Sequence, residues 1–264
     1  MNNNMKKFNN SNNGTKDMGF ILKVVVILLI AVICIIALAV IARNSLYYSK
    51  INNAVSPILI YQDQEASKAL DSASMDNIYN DVRYLENHTK FSISMWIYIE
   101  DWDYAVDKYK IIYQRKVTGK DASPIFTPVI ALDKYENNLI FGMSVYDSDA
   151  VNKAEPKFVT FTHSQIPLQK WVNIVYNISD QFVSLYLNGY MENKYYLDNI
   201  YYLKGDDEKY DYEILGNSRA VLKDATQSDG LPGFSGLISK MQYFAKNLNN
   251  EEIKKIYENG PFIK

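Results

Sequence analysis

Carboxylates and histidines are the side chains of this sequence that could carry out acid–base chemistry. Glycoside hydrolysis with retention needs two carboxylates about 5 to 5.5 Å apart. The nearest acidic cluster is Glu100-Asp101-Trp102-Asp103, at the end of an alternating segment, and its spacing is more typical of a solvated turn. The chain has only two histidines, His88 and His163, far apart in the sequence, so neither a zinc site nor a histidine-based triad is indicated. We therefore expect a protein that is not an enzyme.

Oxygen ligands for calcium are a second kind of chemistry in the sequence. Ca²⁺ takes about six to eight oxygens, commonly from Asp, Asn and backbone carbonyls in loops. Asp147 and Asp149 lead the candidates, because they directly follow the apolar segment Asn138 to Tyr146 and would project from its end. Other acidic loops contain Asp101, Asp103, Asp107, Asp206 and Asp207. A solvated turn is the alternative for each loop, and Ca²⁺ is the one cofactor that we expect here.

Tyrosine is the residue type best suited to ligand binding in this chain, which contains 22 of them. Many crowd into YYLDNIYYLKGDDEKYDY, residues 195–212. A tyrosine ring combines apolar area with a hydroxyl, which suits sugar rings and protein partners equally. The residues that we expect at a ligand site are Tyr195, Tyr196, Tyr201, Tyr202 and, at a strand end, Trp102. The alternative is that these tyrosines divide between the core and the outer surfaces of strands.

Net charge and cysteine content bear on two classes of protein, those that bind nucleic acid and exported domains held by disulfides. With 28 Lys and Arg against 30 Asp and Glu, the net charge is −2, so no basic field is present to attract nucleic acid. Cys34 is the one cysteine, and an exported domain of about 200 residues can fold without a disulfide by burying a large core. The abundance of Asn, Lys, Ile and Tyr is typical of AT-rich genomes, such as those of some large DNA viruses or protists.

An apolar segment, Val24 to Ala42, dominates the N-terminal part of the chain. Its sequence, VVVILLIAVICIIALAVIA, has no charged residue, and about 19 residues at 1.5 Å each approach the ~30 Å thickness of bilayer hydrocarbon. It is predicted to be a transmembrane helix. Four lysines precede it, whereas only Arg43 and Lys50 follow closely, which predicts a cytoplasmic N-terminus and an extracytoplasmic C-terminal domain.

The residues on either side of this segment set the domain boundaries. Residues 1–23 are polar and asparagine-rich, which predicts a disordered cytoplasmic tail, and residues 43–56 are interpreted as a stalk. Ala37-Leu38-Ala39 resembles a signal-peptidase site, so a cleaved signal peptide is the alternative. An apolar run longer than the ~7 to 15 residues of such peptides favours an uncleaved signal anchor. Sequons at Asn87 and Asn177 are candidates for glycosylation in a secretory lumen.

Period-two alternation predicts strands throughout residues 57–264. It is clearest in FSISMWIYIE, Phe91 to Glu100, where apolar and mostly polar residues alternate. Further predicted strands are Pro57 to Tyr61, Lys110 to Val117, Thr127 to Leu132, Asn138 to Tyr146, WVNIVYNI and FVSLYLNG. Many short strands separated by turns indicate a sandwich or jelly roll. At the C-terminus, Asn249 and Glu252 predict the capping box of a short helix that Gly260-Pro261 ends.

Taken together, these segments resemble the laminin-G-like jelly roll of the concanavalin A-like lectin/glucanase superfamily. The resemblance covers about Pro57 to Phe262. Its most specific pieces are Trp171 to Gly189, a tryptophan strand followed by a strand ending in Asn-Gly, and Phe234-Ser235-Gly236 with the terminal NLNNEEI helix. Where relatives often carry an acidic pair, this chain has Ser239-Lys240, which puts a cation site at that position in doubt.

The resemblance implies an all-β fold, a two-sheet antiparallel jelly-roll sandwich with a short C-terminal helix, behind one transmembrane helix. Members mostly bind glycans or proteins, often with calcium at one rim, and some hydrolyse glycans. The Glu-x-Asp-x-x-Glu string of the superfamily's glucanases does not occur in this sequence. We expect a single-pass surface protein whose jelly roll binds carbohydrate or a glycosylated partner for recognition or attachment. The alternative is a structural membrane or virion-envelope protein that uses the sandwich for protein–protein contacts.

The calcium expectation can be tested directly. If Asp147 and Asp149 hold the ion, titration of CaCl₂ into the purified protein should give saturable heat that excess chelator removes and that Asp147→Ala abolishes. Asp206→Ala, in a different acidic loop, is the matched control and should retain binding. Calorimetry that shows no saturable binding by the folded protein would contradict the calcium expectation.

Overall fold

The structure is a computed structural model, and it describes residues 13–52, 58–60, 64–67, 90–118, 125–146, 156–199, 209–217 and 231–262. The chain divides into two compact units, Met1–Asn53 and Ala54–Lys264. The first contains helix α1, Asn13–Asn52. The second contains helix α2, Asn250–Glu258, and the strands β1 (Ile58–Ile60), β2 (Gln64–Glu65), β3 (Phe91–Asp101), β4 (Lys110–Thr118), β5 (Ile125–Leu132), β6 (Leu139–Val145), β7 (Lys157–His163), β8 (Trp171–Ile178), β9 (Phe182–Leu187), β10 (Tyr190–Tyr196), β11 (Lys209–Ile214), β12 (Gly216–Asn217), β13 (Leu231–Pro232) and β14 (Ser235–Phe244).

Helix α1 contains a segment, Leu22–Ile41, that is long and apolar enough to cross a membrane, and all of its side chains are exposed. Such a helix suits a membrane anchor or a signal sequence. The helix is longer than the predicted span, because residues 13–23, predicted as disordered, and residues 43–52, predicted as a stalk, continue it. No proline interrupts these flanks, and extending an existing helix is easier than starting one.

Two antiparallel sheets form the second unit. The first, sheet A, has the strand order β1-β14-β3-β8-β9-β10, with β2 also pairing with β14, and the second, sheet B, has the order β11-β4-β5-β6-β7. Strands β12 and β13 form a separate short ribbon. The predicted all-β sandwich with a short C-terminal helix is therefore confirmed, and residues 58–60 of the strand predicted at Pro57 to Tyr61 form β1, at one end of sheet A.

Strand β3 lies in the middle of sheet A and is buried on both faces. Its apolar residues, such as Ile93 and Ile97, belong to the main core between the sheets, as the alternation predicts. The residues between them, including Ser92, Ser94 and Trp96, face away from that core and are also buried. Ser92 Oγ finds hydrogen-bond partners, whereas Ser94 Oγ and the Trp96 indole N–H have none among the described residues, so this face depends mainly on an apolar cover.

The segment around helix α2 supplies that cover. Asn177 on β8 donates from Nδ2 to the Leu248 carbonyl at 2.8 Å, and its Oδ1 accepts from Ser92 Oγ at 2.6 Å and from the Leu248 N–H at 3.3 Å. Trp96 stacks on Tyr257 with 5.7 Å between ring centroids. The outer polar residues of sheet A therefore fix the chain that enters the helix.

Both ends of helix α2 are held by specific contacts. The predicted capping box is present, since the Asn249 side chain accepts from the Glu252 N–H at 2.9 Å and the Glu252 carboxylate accepts from the Asn249 N–H at 2.9 Å. At the other end, Lys240 Nζ donates to the Gly260 carbonyl at 2.8 Å and Ser239 Oγ donates to the Pro261 carbonyl at 2.6 Å. The Ser239-Lys240 pair thus holds the C-terminal end of this helix.

Gly236 gives a physical reason for the Phe234-Ser235-Gly236 motif. Its φ is +141°, in a region that side chains disfavour, and a Cβ at this position would lie 1.9 Å from the Tyr98 carbonyl oxygen. The register between β14 and β3 shifts next to it, between Ser235 and Gly236. Only glycine allows β14 to approach β3 this closely.

Asn177→Ala tests whether the polar contacts hold the helix. It should lower the free energy of unfolding by about 2 kcal/mol, because it leaves the buried Leu248 N–H and C=O with fewer partners. Urea denaturation measures the loss, and hydrogen exchange should show faster exchange in α2 than in β6. Lys254→Ala, in an exposed i,i+4 ion pair with Glu258, is the control and should cost less than about 0.5 kcal/mol. Equal losses for the two variants would contradict this role.

Candidate functional site: a rim groove beside Trp102

Three loops meet at one rim of the sandwich. They are the β3–β4 loop (residues 102–109), the β5–β6 loop (133–138) and the β7–β8 loop (164–170). The depression between them, which we call the rim groove, has a volume of about 650 Å³ and is lined by Trp102, Tyr135, Glu136, Asn137, Asn138, Ser164, Gln165 and Leu168. This volume falls within the ~300–1,000 Å³ common for small-molecule sites.

Asn137 joins two of these loops. Its carbonyl accepts from the Ile166 N–H at 2.8 Å, and its Nδ2 donates to the Ile166 carbonyl at 3.1 Å. Ile166 is fully buried, so the pair ties the β5–β6 loop to a residue anchored in the core. Asn138 tightens the same turn by donating from Nδ2 to Glu136 Oε2 at 2.8 Å. The wall of the groove that the β5–β6 and β7–β8 loops form is therefore preorganised in the ligand-free protein.

Trp102 closes the groove on the side of β3. Its ring packs against the main core, and Lys110 Nζ lies 4.8 Å from the ring centroid. The Lys110 ammonium also donates to the carbonyls of Asp133, at 3.2 Å, and Lys134, at 3.3 Å. The indole N–H of Trp102 is buried and has no hydrogen-bond partner in the described part of the chain. An unsatisfied donor of this kind is costly unless a water or a ligand oxygen accepts from it.

Two ionisable groups at this rim, Lys110 and Tyr135, have pKa values shifted from their ordinary ones. Burial lowers the pKa of Lys110, and the nearby carboxylates of Asp133 and Asp103 oppose that effect. A hydrogen bond to the Asp107 carboxylate raises the pKa of Tyr135, so its phenol remains neutral and donates to Asp107. Tyr135 is 66% exposed, which leaves its ring available at the groove edge.

The structure separates the predicted ligand residues into two places. Trp102 follows the end of β3 and lines the groove, whereas Tyr195 and Tyr196 end β10, and the antiparallel order of β3, β8, β9 and β10 puts that end at the opposite rim. Tyr196 is exposed, whereas Tyr195 is half-buried and stacks on Phe161 with 4.7 Å between the ring centroids. Burial raises the pKa of the Tyr195 phenol. The other two predicted ligand residues, Tyr201 and Tyr202, lie outside the described residues.

Most of the candidate metal and glycosylation residues lie outside the described residues. Among them are Asp147, Asp149 and Asn87. The Asp101 and Asp107 carboxylates accept hydrogen bonds within their rim, from the Asp103 N–H at 2.9 Å and from Tyr135. Asn177 is described: it is 5% exposed, and its Nδ2, the atom that would carry a glycan, donates to the Leu248 carbonyl. Glycosylation at this sequon stays a prediction, and it would require this hydrogen bond to be absent.

Most groove residues were not predicted from the sequence. Glu136 and Asn137 fall between two predicted strands, Asn138 is predicted only as the start of a strand, and Ser164 and Gln165 belong to a loop with no clear pattern. Gln165 has φ +66°, a left-handed conformation that glutamine rarely adopts, so residue type gave no signal for it. Tyr135 is one of many tyrosines, and its sequence position alone did not distinguish it.

Asn137→Ala tests whether the wall is preorganised. It removes the Nδ2 bond to Ile166 and should lower the free energy of unfolding by about 1 kcal/mol. Hydrogen exchange of residues 164–168 should become faster, because the β7–β8 loop loses one of its two ties to the β5–β6 loop. Ser164→Ala, at an exposed position of the β7–β8 loop, is the control and should leave the exchange of this loop unchanged. Unchanged exchange in Asn137→Ala would show that the loop is held by other contacts.

Comparison with known proteins agrees with the two-sheet architecture. A family model described as the concanavalin A-like lectin/glucanases superfamily, Laminin_G_3, matches residues 74–254. No curated protein sequence gives a significant match.

Several solved structures match part of this chain. The botulinum neurotoxin serotype G binding domain has a TM-score of 0.41 and 16% identity, over 65% of this chain and 36% of that chain. The receptor binding domain of botulinum neurotoxin C/D mosaic serotype has a TM-score of 0.43 and 16% identity, over 76% of this chain and 43% of that chain. The chain thus spans less than half the length of these proteins. The family model covers well over half of the sequence, and the chain therefore belongs to the concanavalin A-like lectin/glucanase superfamily.

Proposed function

We propose that this chain is a membrane-anchored surface protein whose jelly-roll domain binds a carbohydrate or a glycosylated partner through the rim groove. The observation that carries the proposal is Trp102, a tryptophan at the groove whose buried indole N–H has no partner in the described chain. A sugar ring presents hydroxyl oxygens at its edge, and one of them would accept from this N–H. Satisfying a buried donor in this way favours the bound state.

The rest of the groove matches the chemistry of a sugar. A sugar has apolar C–H faces as well as hydroxyls, so its binding site needs both aromatic rings and polar side chains. Tyr135 supplies an exposed ring at the edge, and Ser164 and Gln165 supply an exposed hydroxyl and amide. The tie between Asn137 and Ile166 reduces the entropy that would be lost on binding.

Binding suits this groove better than hydrolysis. Glycoside hydrolysis in this manner requires two carboxylates. Glu136 is the one carboxylate among the residues that line the groove, and it already accepts from Asn138. We therefore propose recognition without turnover.

The proposed location follows from helix α1 and its flanks. The Leu22–Ile41 segment of α1 has the length and composition of a membrane span, and lysines are more frequent before it than after it. We propose that α1 anchors the protein with its N-terminus in the cytoplasm. The jelly roll would then meet glycans on the outer side of the membrane.

A glycan array probed with the detergent-purified full chain tests the proposed function. We expect selective binding that Trp102→Phe weakens by about tenfold, since phenylalanine keeps an aromatic ring but lacks the donor. Tyr135→Ala should weaken it as well, whereas Tyr190→Ala, which removes an equally exposed tyrosine from β10, should not. Calorimetry with the best ligand quantifies each change.

Two results would contradict the proposal. One is the absence of selective binding by protein that circular dichroism shows to be folded, which would favour the alternative role in protein–protein contacts. The other is glycan binding that Trp102→Phe and Tyr135→Ala leave unchanged, which would place the ligand elsewhere on the domain.

A further inference from the structure

A lysine lies over two aromatic rings at the far corner of sheet A. Lys194 Nζ is 3.8 Å from the ring centroid of Phe182 and 5.4 Å from that of Tyr196. Phe182 pairs with Tyr196 across strands β9 and β10, and Lys194 lies two residues before Tyr196. The three side chains therefore share the outer face of the sheet. We call them the lysine platform.

The platform is open because helix α2 does not extend over it. On β9 the helix reaches Tyr186, which is 8% exposed and donates from its hydroxyl to Asn250 Oδ1 at 3.4 Å. Farther from the helix, Tyr196 is 71% exposed and Lys194 is exposed. An aromatic surface of this kind offers apolar area to a partner.

The charge of Lys194 is not neutralised by an ion pair within the described residues. Asp198, which follows β10, is paired with Lys157, at 3.5 Å between Nζ and Oδ2. Contact with the two rings orders the Lys194 ammonium without neutralising it, because a ring quadrupole has no net charge. The ammonium thus keeps N–H donors for an anionic acceptor.

We propose that the lysine platform binds a sugar that carries a carboxylate or sulfate group, with the acidic group on Lys194 and a C–H face of the sugar on Tyr196. An aromatic ring provides stacking area, and a fixed ammonium beside it selects for charge. Because Tyr196 and Trp102 lie at opposite rims, this site is separate from the rim groove and does not depend on sugar binding there.

Matched pairs of oligosaccharides test the platform by calorimetry on the full chain. One pair is trigalacturonic acid and its methyl ester, and the other is a heparin-derived hexasaccharide and its desulfated form. We expect at least one acidic member to bind about tenfold or more tightly than its neutral counterpart. The two pairs distinguish carboxylate from sulfate as the recognised group.

Variants then locate the recognition. Lys194→Met should abolish the preference for the acidic member, and Lys194→Arg should retain it. Tyr196→Ala should weaken binding. Lys170→Met, which removes an exposed lysine near the rim groove, is the matched control and should change nothing.

Three results would overturn the inference. They are equal affinity for acidic and neutral members, an acidic preference that survives Lys194→Met, and an acidic preference that Tyr135→Ala abolishes. The third would place charge recognition in the rim groove, so the proposed function would hold while the platform failed. Conversely, loss of binding to neutral array glycans in Trp102→Phe with an intact acidic preference would support the platform as a separate site.

Discussion

The burial of strand β3 on both faces is the constraint on which the rest of this domain depends. Its apolar face forms the core against sheet B, and its outer face, which carries Ser92, Ser94 and Trp96, is buried as well. Pairing buried polar groups stabilises this face, and the chain that leaves β14 returns across sheet A and gives its Leu248 backbone to Ser92 and Asn177, whereas Ser94 Oγ and the Trp96 indole N–H have no partner among the described residues. Helix α2 is therefore part of the sandwich, although it is short and follows the last strand.

This arrangement determines which surfaces remain for binding. Helix α2 covers the middle of the outer face of sheet A and leaves the corner at Lys194 and Tyr196 open. At the rim where β3 ends, helix α2 is not involved. There the β5–β6 and β7–β8 loops are joined by the hydrogen bonds between Asn137 and Ile166. A groove with a preformed wall results, and its one buried unsatisfied donor among the lining residues is the Trp102 indole N–H in the described structure.

Sequence reasoning succeeded where one physical pattern dominates. The alternation in β3 and the capping box of Asn249 and Glu252 are local, and both predicted the structure well. Strand β10 was missed because most of its side chains are exposed, and strand β7 because none of its side chains is fully buried. The groove was largely missed, since it depends on loops brought together by pairing between distant strands. Asn177 shows the same limit, because a sequon cannot reveal that its amide is buried.

The central claim is that a sugar occupies the rim groove and accepts a hydrogen bond from Trp102. The most direct measurement is a titration of ¹⁵N-tryptophan-labelled protein, followed through the indole N–H resonances of its three tryptophans. The account predicts that the strongest glycan from the array shifts the Trp102 resonance in a saturable way and leaves those of Trp96 and Trp171 unchanged. A Trp102 resonance that does not move while the glycan is shown to bind would contradict it.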